Sequence, residues 1–188
     1  MRFLPRAFLC RCCPLPRLLV LCNSCPAKRA APLFRPKTML VIQDKAPDFE
    51  LPDQSGKVIR LSDILQQHNV VLYFYPKDDT PGCTKEACFF RDQYEEFRDA
   101  GAEVIGISSD SASSHASFAQ KHNLPFLLLA DEGGKVRKQF KVPRMLGLIP
   151  GRVTFVIDRQ GTIRYAFNSM TKPFEHVQNA LQVLKDLS

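Results

Sequence analysis

The sequence contains no tryptophan, and its first 38 residues contain no acidic side chain. Residues 1–38 hold eight basic side chains, which leaves 18 basic and 19 acidic groups, a net charge of −1, for residues 39–188. The basic character of the chain therefore belongs to residues 1–38 alone, which are called the leader below. Because a near-neutral body has no electrostatic footprint for phosphate, nucleic acid is not expected as a partner.

Long apolar runs are also missing from the leader. The run Leu18–Cys22 is far too short to span a bilayer, so no membrane span is expected. A basic, acid-free segment over residues 1–38 is typical of targeting sequences. Its arginines suit a mitochondrial presequence, whereas the scarcity of serine and threonine argues against a chloroplast one. A third interpretation is a mis-assigned extension, with translation starting at Met39 and a cytoplasmic protein.

Cysteine is scarce outside the leader. Five of the seven cysteines lie in residues 1–38, namely Cys10, Cys12, Cys13, Cys22 and Cys25. Cys22 and Cys25 form a C-x-x-C pair, but no second pair or histidine follows at metal-ligand spacing, so no metal or other cofactor is expected. The body keeps Cys83 and Cys88, and two cysteines five positions apart indicate a redox pair rather than a disulfide scaffold.

Residues 44–188 alternate between strand and helix patterns and predict one α/β domain. The predicted strands are Val70–Tyr75, Glu103–Ser108 and Leu124–Ala130, with hairpins at Asp48–Pro52/Lys57–Leu61 and Val153–Asp158/Thr162–Phe167. The predicted helices are Cys83–Ala100, Ser111–His122, Lys135–Phe140 and Pro173–Leu187. This order resembles the thioredoxin fold: a central mixed β-sheet flanked by helices, with an N-terminal β-hairpin extension.

The polar loop over residues 76–82 connects a buried strand to a helix. Thr80 is a good N-cap and Pro81 is favoured at the first helical position, so Cys83 becomes the third helical residue. There its sulfur lies in the field of the unpaired N–H groups of the first turn, which favours the thiolate. A thiolate is the species that attacks a peroxide oxygen.

The 3.6-residue period places Cys83 on the apolar face of this helix and Cys88 on a polar face, where a protein reductant could reach it. In an unbroken helix, Cα atoms five residues apart are separated by about 8.6 Å. A disulfide needs a separation of roughly 4.4–6.8 Å. We therefore expect local unwinding near residues 83–88 before the two sulfurs can bond.

A peroxide-reducing site also needs a cation and hydrogen-bond donors. Arg152, at the start of a predicted core strand, is the best-placed cation. Thr80 can offer its hydroxyl, and Pro76 can shield the sulfur from water. Asp78 and Asp79 are interpreted as a solvated loop, because carboxylates beside a thiolate would oppose its ionisation. The four histidines, expected to be solvated surface residues, are His68, His115, His122 and His176.

The pattern Pro76-x-x-x-Thr80-x-x-Cys83 resembles the active-site motif of peroxiredoxins. The longer string over residues 74–88, FYPKDDTPGCTKEAC, is similar to the bacterioferritin comigratory protein and peroxiredoxin Q branch, whose second cysteine also follows five residues after the first. The likeness runs from about Ala46 to Leu187. It includes the segments Ala46–Phe49, Val104–Ser108 and Leu148–Arg152.

This resemblance implies that Cys83 is the peroxidatic cysteine and Cys88 the resolving one, joined by a disulfide after oxidation. It implies that Thr80 and Arg152 orient the peroxide and that Pro76 shields it. Thioredoxin or a similar dithiol is implied as reductant, with hydrogen peroxide and organic hydroperoxides as substrates and a monomer as the common state. Because plant members are plastidial, the resemblance favours the chloroplast, stroma or thylakoid, if the leader is genuine.

Two other classes fit the same fold. A dithiol-disulfide oxidoreductase usually carries C-x-x-C, so the longer spacing between Cys83 and Cys88 counts against it. A non-enzymatic redox-sensing or chaperone-like module is the remaining alternative. Consumption of hydrogen peroxide with thioredoxin as reductant separates these classes.

Overall fold

The computed structural model describes residues 39–145, Gly147 and residues 149–187. The leader predicted over residues 1–38 lies outside them. The strands are β1 Glu50–Pro52, β2 Val58–Arg60, β3 Asn69–Phe74, β4 Ala102–Ser108, β5 Leu127–Ala130, β6 Arg144–Met145, β7 Ile149–Pro150, β8 Val153–Ile157 and β9 Ile163–Asn168. The helices are α1 Leu61–Leu65, α2 Pro81–Asp92, α3 Tyr94–Asp99, α4 Ala112–His122, α5 Lys135–Gln139 and α6 Pro173–Leu187.

Five strands form the central sheet in the order β5-β4-β3-β8-β9. The strands β3, β4 and β5 run parallel, while β8 pairs antiparallel with both β3 and β9. The strands β1 and β2 form a separate antiparallel hairpin. The predicted fold class is confirmed: a mixed sheet flanked by helices, with an N-terminal hairpin, as in thioredoxin-fold proteins.

Strand β3 is buried on both faces, which explains its uninterrupted apolar sequence. Val71 and Tyr73 belong to one core cluster, together with Phe90 of α2 and Leu184 of α6. The alternate residues of β3, such as Leu72, contribute to a second cluster on the opposite face. The sheet therefore holds the end of β3 rigidly, and the loop that follows starts from a fixed point.

The structure divides the helix predicted over Cys83–Ala100 into two. Helix α2 ends at Asp92, and Gln93, with φ −113° and ψ 13°, separates it from α3. The break brings the Tyr94 hydroxyl within 2.8 Å of a Glu103 carboxylate oxygen, to which it donates. Because position 93 is glutamine rather than proline or glycine, the local sequence does not predict this break. The predicted stop at Gly101 is confirmed, since Gly101 takes the left-handed φ of 70° that follows a helix end.

Three short elements were not predicted from the sequence: α1, β6 and β7. Each has five residues or fewer, which is too short for a recognisable hydrophobic period. The helices and strands that were predicted are present, and their ends are shifted by up to three residues. Within the described part of the chain, no helix combines the length and apolar character needed to cross a bilayer.

Candidate active site

The loop between β3 and α2 delivers Cys83 to the carboxyl end of the parallel strands. Thr80 is the N-cap residue of α2 and Pro81 its first residue, as predicted, so Cys83 is the third residue of the helix. The sulfur is almost fully buried, with 2% of the residue exposed. Cys88 is half-buried and lies in the same unbroken helix. Both cysteines are free thiols, as helical geometry requires at this spacing.

Arg152 lies against the cysteine. Its Nη2 donates to Cys83 Sγ at 3.3 Å, and only 3% of Arg152 is exposed. The guanidinium packs over the first turn of α2, where a β-carbon at Gly82 would come within 3.2 Å of Nη2. Because the charge is buried beside the sulfur, its attraction to a thiolate is screened little by solvent. The sequence placed Arg152 near the site by its position before β8, and the structure brings the two residues into contact.

A second buried arginine, which sequence analysis missed, ties the two active-site segments together. Arg137 donates from Nη2 to the carbonyl of Tyr75 at 2.6 Å and from Nη1 to the carbonyl of Gly151 at 2.9 Å. Tyr75 precedes the Cys83 loop and Gly151 precedes Arg152. Gly151 itself must be glycine, since a β-carbon there would lie 2.4 Å from the Pro143 carbonyl oxygen. Burial lowers the pKa of Arg137 to about 10, so it stays charged at neutral pH.

The carboxyl group of Glu86 contacts the guanidinium of Arg152. Sequence analysis missed this residue as well. It is fully buried on α2 and accepts a hydrogen bond from Arg152 Nη1. Burial raises the pKa of Glu86 from an ordinary 4.5 to about 8, with Arg152 acting in the opposite direction. Glu86 is therefore neutral near pH 7, which leaves the positive charge of Arg152 for the sulfur of Cys83.

His176 is a further buried polar residue of the candidate site. Its Nε2 donates to the Ser169 carbonyl at 2.8 Å, so Nδ1 accepts from the Thr154 hydroxyl, also at 2.8 Å. Burial lowers the pKa of His176 to about 4, and repulsion from Arg152 acts in the same direction. The expectation of a solvated histidine is wrong here: its position on the buried face of α6, next to Val177, was the signal.

The expectations for Asp78 and His115 are also wrong. Asp78 is 5% exposed and His115 is fully buried, and the two side chains face each other with Nδ1 of the histidine 2.9 Å from Oδ2 of the aspartate. Asp79, by contrast, is exposed as expected and pairs with Lys121. The repulsion expected between Asp78 and a Cys83 thiolate does not arise, because the Asp78 side chain points away from α2 and contacts α4.

Thr80 and Pro76 occupy the loop as expected, but Thr80 uses its hydroxyl locally. Its Oγ1 donates to the Lys77 carbonyl at 3.1 Å and makes no capping bond to α2. The hydroxyl oxygen keeps an acceptor lone pair. Pro76 is half-buried directly after the Tyr75 carbonyl that Arg137 holds. Across residues 39–145 and 149–187, no group of three or more His, Cys, Asp or Glu side chains is arranged to hold a metal.

The AhpC/TSA family matches residues 42–166. The chain belongs to this family. Within it, the chain is similar to proteins named peroxiredoxin Q, chloroplastic. It is 52% identical over 142 residues to that of Triticum aestivum, covering 75% of this chain and 65% of the wheat protein. It is 47% identical over 168 residues to that of Oryza sativa subsp. japonica, covering 86% of this chain and 77% of the rice protein.

Solved structures of the peroxiredoxin family share the fold. Peroxidoxin BcpB from Mycobacterium tuberculosis superposes with a TM-score of 0.74 at 41% identity, covering 79% of this chain and 99% of that one. The bacterioferritin comigratory protein of Xanthomonas campestris, studied for its alkyl peroxide reduction activity, superposes with a TM-score of 0.67 at 32% identity. That match covers 74% of this chain and 91% of the Xanthomonas chain. The resemblance to the peroxiredoxin Q branch is confirmed.

Replacing Glu86 by glutamine is expected to change how stability depends on pH in this peroxiredoxin. The pKa of Glu86 is raised from 4.5 to about 8 in the folded protein. The protonated carboxyl therefore contributes its full share of the free energy of unfolding below pH 4.5, and this contribution is lost as the pH rises through 8. The wild type should therefore lose about 3 kcal/mol relative to Glu86→Gln between pH 5 and pH 8. Urea unfolding at several pH values measures the difference.

The glutamine keeps an oxygen that accepts from Arg152, so the two proteins differ mainly in the titrating proton. The exposed Glu96→Gln serves as the control, and its stability difference from the wild type should stay nearly constant over the same pH range. A parallel pH dependence of wild type and Glu86→Gln would contradict the neutral state of Glu86.

Proposed function

We propose that this chain is a thiol peroxidase that reduces hydrogen peroxide and organic hydroperoxides. The observation that carries the proposal is the contact between Arg152 Nη2 and Cys83 Sγ at the start of α2. A buried guanidinium and the first turn of a helix both favour the thiolate, which is the nucleophile required. The peroxiredoxin Q relatives and the Xanthomonas structure support the same chemistry.

The reaction is proposed in three steps. The Cys83 thiolate attacks one oxygen of the hydroperoxide, the O–O bond breaks, and the leaving oxygen departs as alcohol or water while Cys83 becomes a sulfenic acid. The thiol of Cys88 then attacks the sulfenic sulfur, which forms a disulfide and releases water. A thioredoxin-type dithiol reduces the disulfide and restores both thiols.

The roles of the surrounding residues follow from their positions. Arg152 stabilises the thiolate and the negative charge that develops on the leaving oxygen. Thr80 accepts a hydrogen bond from the peroxide through its free lone pair, and Pro76 limits access of water to the sulfur. Before the disulfide forms, the turns of α2 that join the two cysteines unwind, because the helical separation of about 8.6 Å is too long.

The compartment and the assembly state belong to the same proposal. We place the protein in the chloroplast, with residues 1–38 as the targeting segment and residues 44–188 as the peroxiredoxin domain. The named chloroplastic relatives support this placement over the mitochondrion or the cytoplasm, and mass spectrometry of the mature N-terminus tests it. The domain is proposed to act as a monomer, which light scattering tests.

The purified protein is expected to sustain NADPH oxidation when hydrogen peroxide, thioredoxin and thioredoxin reductase are all present. Each turnover consumes one peroxide and one dithiol, so omission of the peroxide or of thioredoxin should stop the reaction. If Cys83 reacted with peroxide no faster than free cysteine, the proposal would be abandoned. Disulfide reduction without any peroxide requirement would instead identify a dithiol oxidoreductase.

Replacing Arg152 by lysine is expected to slow the oxidation of Cys83 by about a hundredfold. Lysine keeps the charge but lacks the rigid planar guanidinium, whose two terminal nitrogens donate to Glu86 and Cys83 in a fixed geometry. Quenched-flow oxidation followed by thiol alkylation measures this rate. The conservative control is Arg164→Lys on β9, whose partner is Asp158, and it should react like the wild type. An unchanged rate in Arg152→Lys would remove the arginine from the mechanism.

A further inference from the structure

The loop that carries Cys83 is fastened to the body of the protein through Asp78. This carboxylate accepts from the Tyr75 hydroxyl at 2.7 Å on Oδ1, and on Oδ2 it accepts from the Ser114 hydroxyl at 2.7 Å. The imidazole of His115 lies 2.9 Å from the same Oδ2. The backbone N–H of Asp78 donates to Asp110 at 2.9 Å. Asp78 stands three residues before the first residue of α2, so these bonds hold the start of that helix.

Both ring nitrogens of His115 face polar partners in this arrangement. Its Nε2 lies 3.2 Å from the Leu129 carbonyl oxygen, which can only accept a hydrogen bond. Its Nδ1 faces Asp78, which is ionised: burial would raise the pKa of that carboxyl, but hydrogen bonds from His115, Tyr75 and Ser114 outweigh it and hold the pKa below 3.8. The two side chains therefore form a buried hydrogen-bonded pair, with 0% of the His115 side chain and 3% of the Asp78 side chain exposed.

The two steps proposed for Cys83 need different conformations of α2. Attack on peroxide needs the helical state, in which Cys83 lies beside Arg152. Disulfide formation needs the unwound state, in which Cys88 reaches the sulfenic sulfur. Any contact that fastens the start of α2 favours the helical state and lowers the population of the unwound one.

We propose that His115 is a positioning residue whose buried contact with Asp78 holds the start of α2 helical and thereby limits the rate at which Cys88 captures the sulfenic acid of Cys83. This inference rests on the proposed peroxidase function. The direction follows from the populations. When the helical state predominates, loosening the contact between His115 and Asp78 hardly lowers the population of the helical state but multiplies the small population of the unwound state.

This inference has a chemical consequence in excess peroxide. The sulfenic acid of Cys83 has two fates: attack by the Cys88 thiol with loss of water, or oxidation by a second hydroperoxide to sulfinic acid with release of alcohol or water. A slower capture by Cys88 leaves more time for the second oxidation. His115 would therefore set how much peroxide the enzyme tolerates before it is inactivated.

The test compares wild type with His115→Asn, which is small enough for the cavity and lacks the imidazole ring that contacts both Asp78 and Leu129. We expect disulfide formation after a peroxide pulse to become about tenfold faster, while the first oxidation of Cys83 slows by less than twofold. The peroxide concentration that gives equal amounts of disulfide and sulfinic acid should rise about tenfold. Quenched flow with intact-protein mass spectrometry separates these products. This method is chosen because the sequence contains no tryptophan to serve as a fluorescence probe.

Hydrogen exchange supplies a readout of the helix itself. In reduced His115→Asn, the amides of residues 83–88 should exchange about tenfold faster than in the wild type, with little change in the sheet. A purely structural role for His115 would lower stability throughout and would slow both chemical steps. The control is His68→Asn, because His68 is exposed and outside the network; it should match the wild type in every readout.

Two further variants keep the inference testable if His115→Asn does not fold. Asp78→Asn removes the carboxylate that His115 contacts and should act in the same direction, and Ser114→Ala removes one hydrogen bond to Asp78 and should have a smaller effect. Unchanged product ratios in folded variants of the pair would overturn the inference while leaving the peroxidase proposal intact. Absence of sulfenic acid or disulfide in the wild type would instead overturn the proposed function.

Discussion

Replacing Cys83 by serine is expected to reduce peroxide consumption by more than about a thousandfold. Serine has nearly the same shape and keeps the helix start, but its hydroxyl is not ionised at neutral pH and does not attack the O–O bond. The buried contact of Arg152 with the sulfur would be kept as a contact with oxygen. The measurement is peroxide consumption with thioredoxin, its reductase and NADPH.

Interpretation of Cys83→Ser requires a folded protein. The urea midpoint of the variant should lie close to that of the wild type, because the substitution changes one buried atom. A folded Cys83→Ser protein that still consumed peroxide would show that another residue carries the chemistry. Cys88, the other cysteine described by the structure, would then be the first candidate.

Replacing Cys88 by serine is expected to separate the two halves of the reaction. The first oxidation of Cys83 should proceed within about twofold of the wild-type rate, because Cys88 lies on the other face of α2 and takes no part in the attack. Sustained turnover with thioredoxin should be lost, since the disulfide between positions 83 and 88 cannot form. The sulfenic acid then accumulates and further peroxide converts it to sulfinic acid.

Mass spectrometry after one equivalent of peroxide measures the Cys88→Ser outcome. The wild type should show a disulfide and the variant a sulfenic acid that a dimedone-type probe captures. Cys83→Ser is the matched control and should show neither product. Full turnover of Cys88→Ser with thioredoxin would refute the resolving role of Cys88.

Much of the candidate site was predictable from local sequence. The N-cap, the proline after it and the position of Cys83 at the third helical residue depend on backbone geometry over four consecutive residues, and such rules act without tertiary context. The opposite faces of Cys83 and Cys88 follow from the helical period alone. Arg152, which lies 69 positions away along the chain, was a candidate from its place at the start of a core strand, and the peroxiredoxin resemblance assigned it the role of orienting the peroxide.

The residues that were missed are buried polar groups whose partners are distant in sequence. Glu86 resembles any other charged residue on a helix, yet it is fully buried because Arg152, directly before β8, contacts it. Arg137 joins two carbonyls that are 76 positions apart along the chain, and only their meeting at the end of the sheet gives it a role. Composition-based expectations place such residues at the surface because burial of a charge without a partner is unfavourable.

For this protein, the sequence by itself determined the order of strands and helices, the helix start that carries Cys83 and the impossibility of a disulfide while α2 stays intact. These depend on hydrophobic periods, capping and helix dimensions, which are local. The tertiary structure alone decided the break at Gln93, the raised pKa of Glu86 and the buried contact of Asp78 with His115. The last two depend on which polar groups the fold brings together, because burial and nearby charged or hydrogen-bonding groups together set the pKa of a side chain.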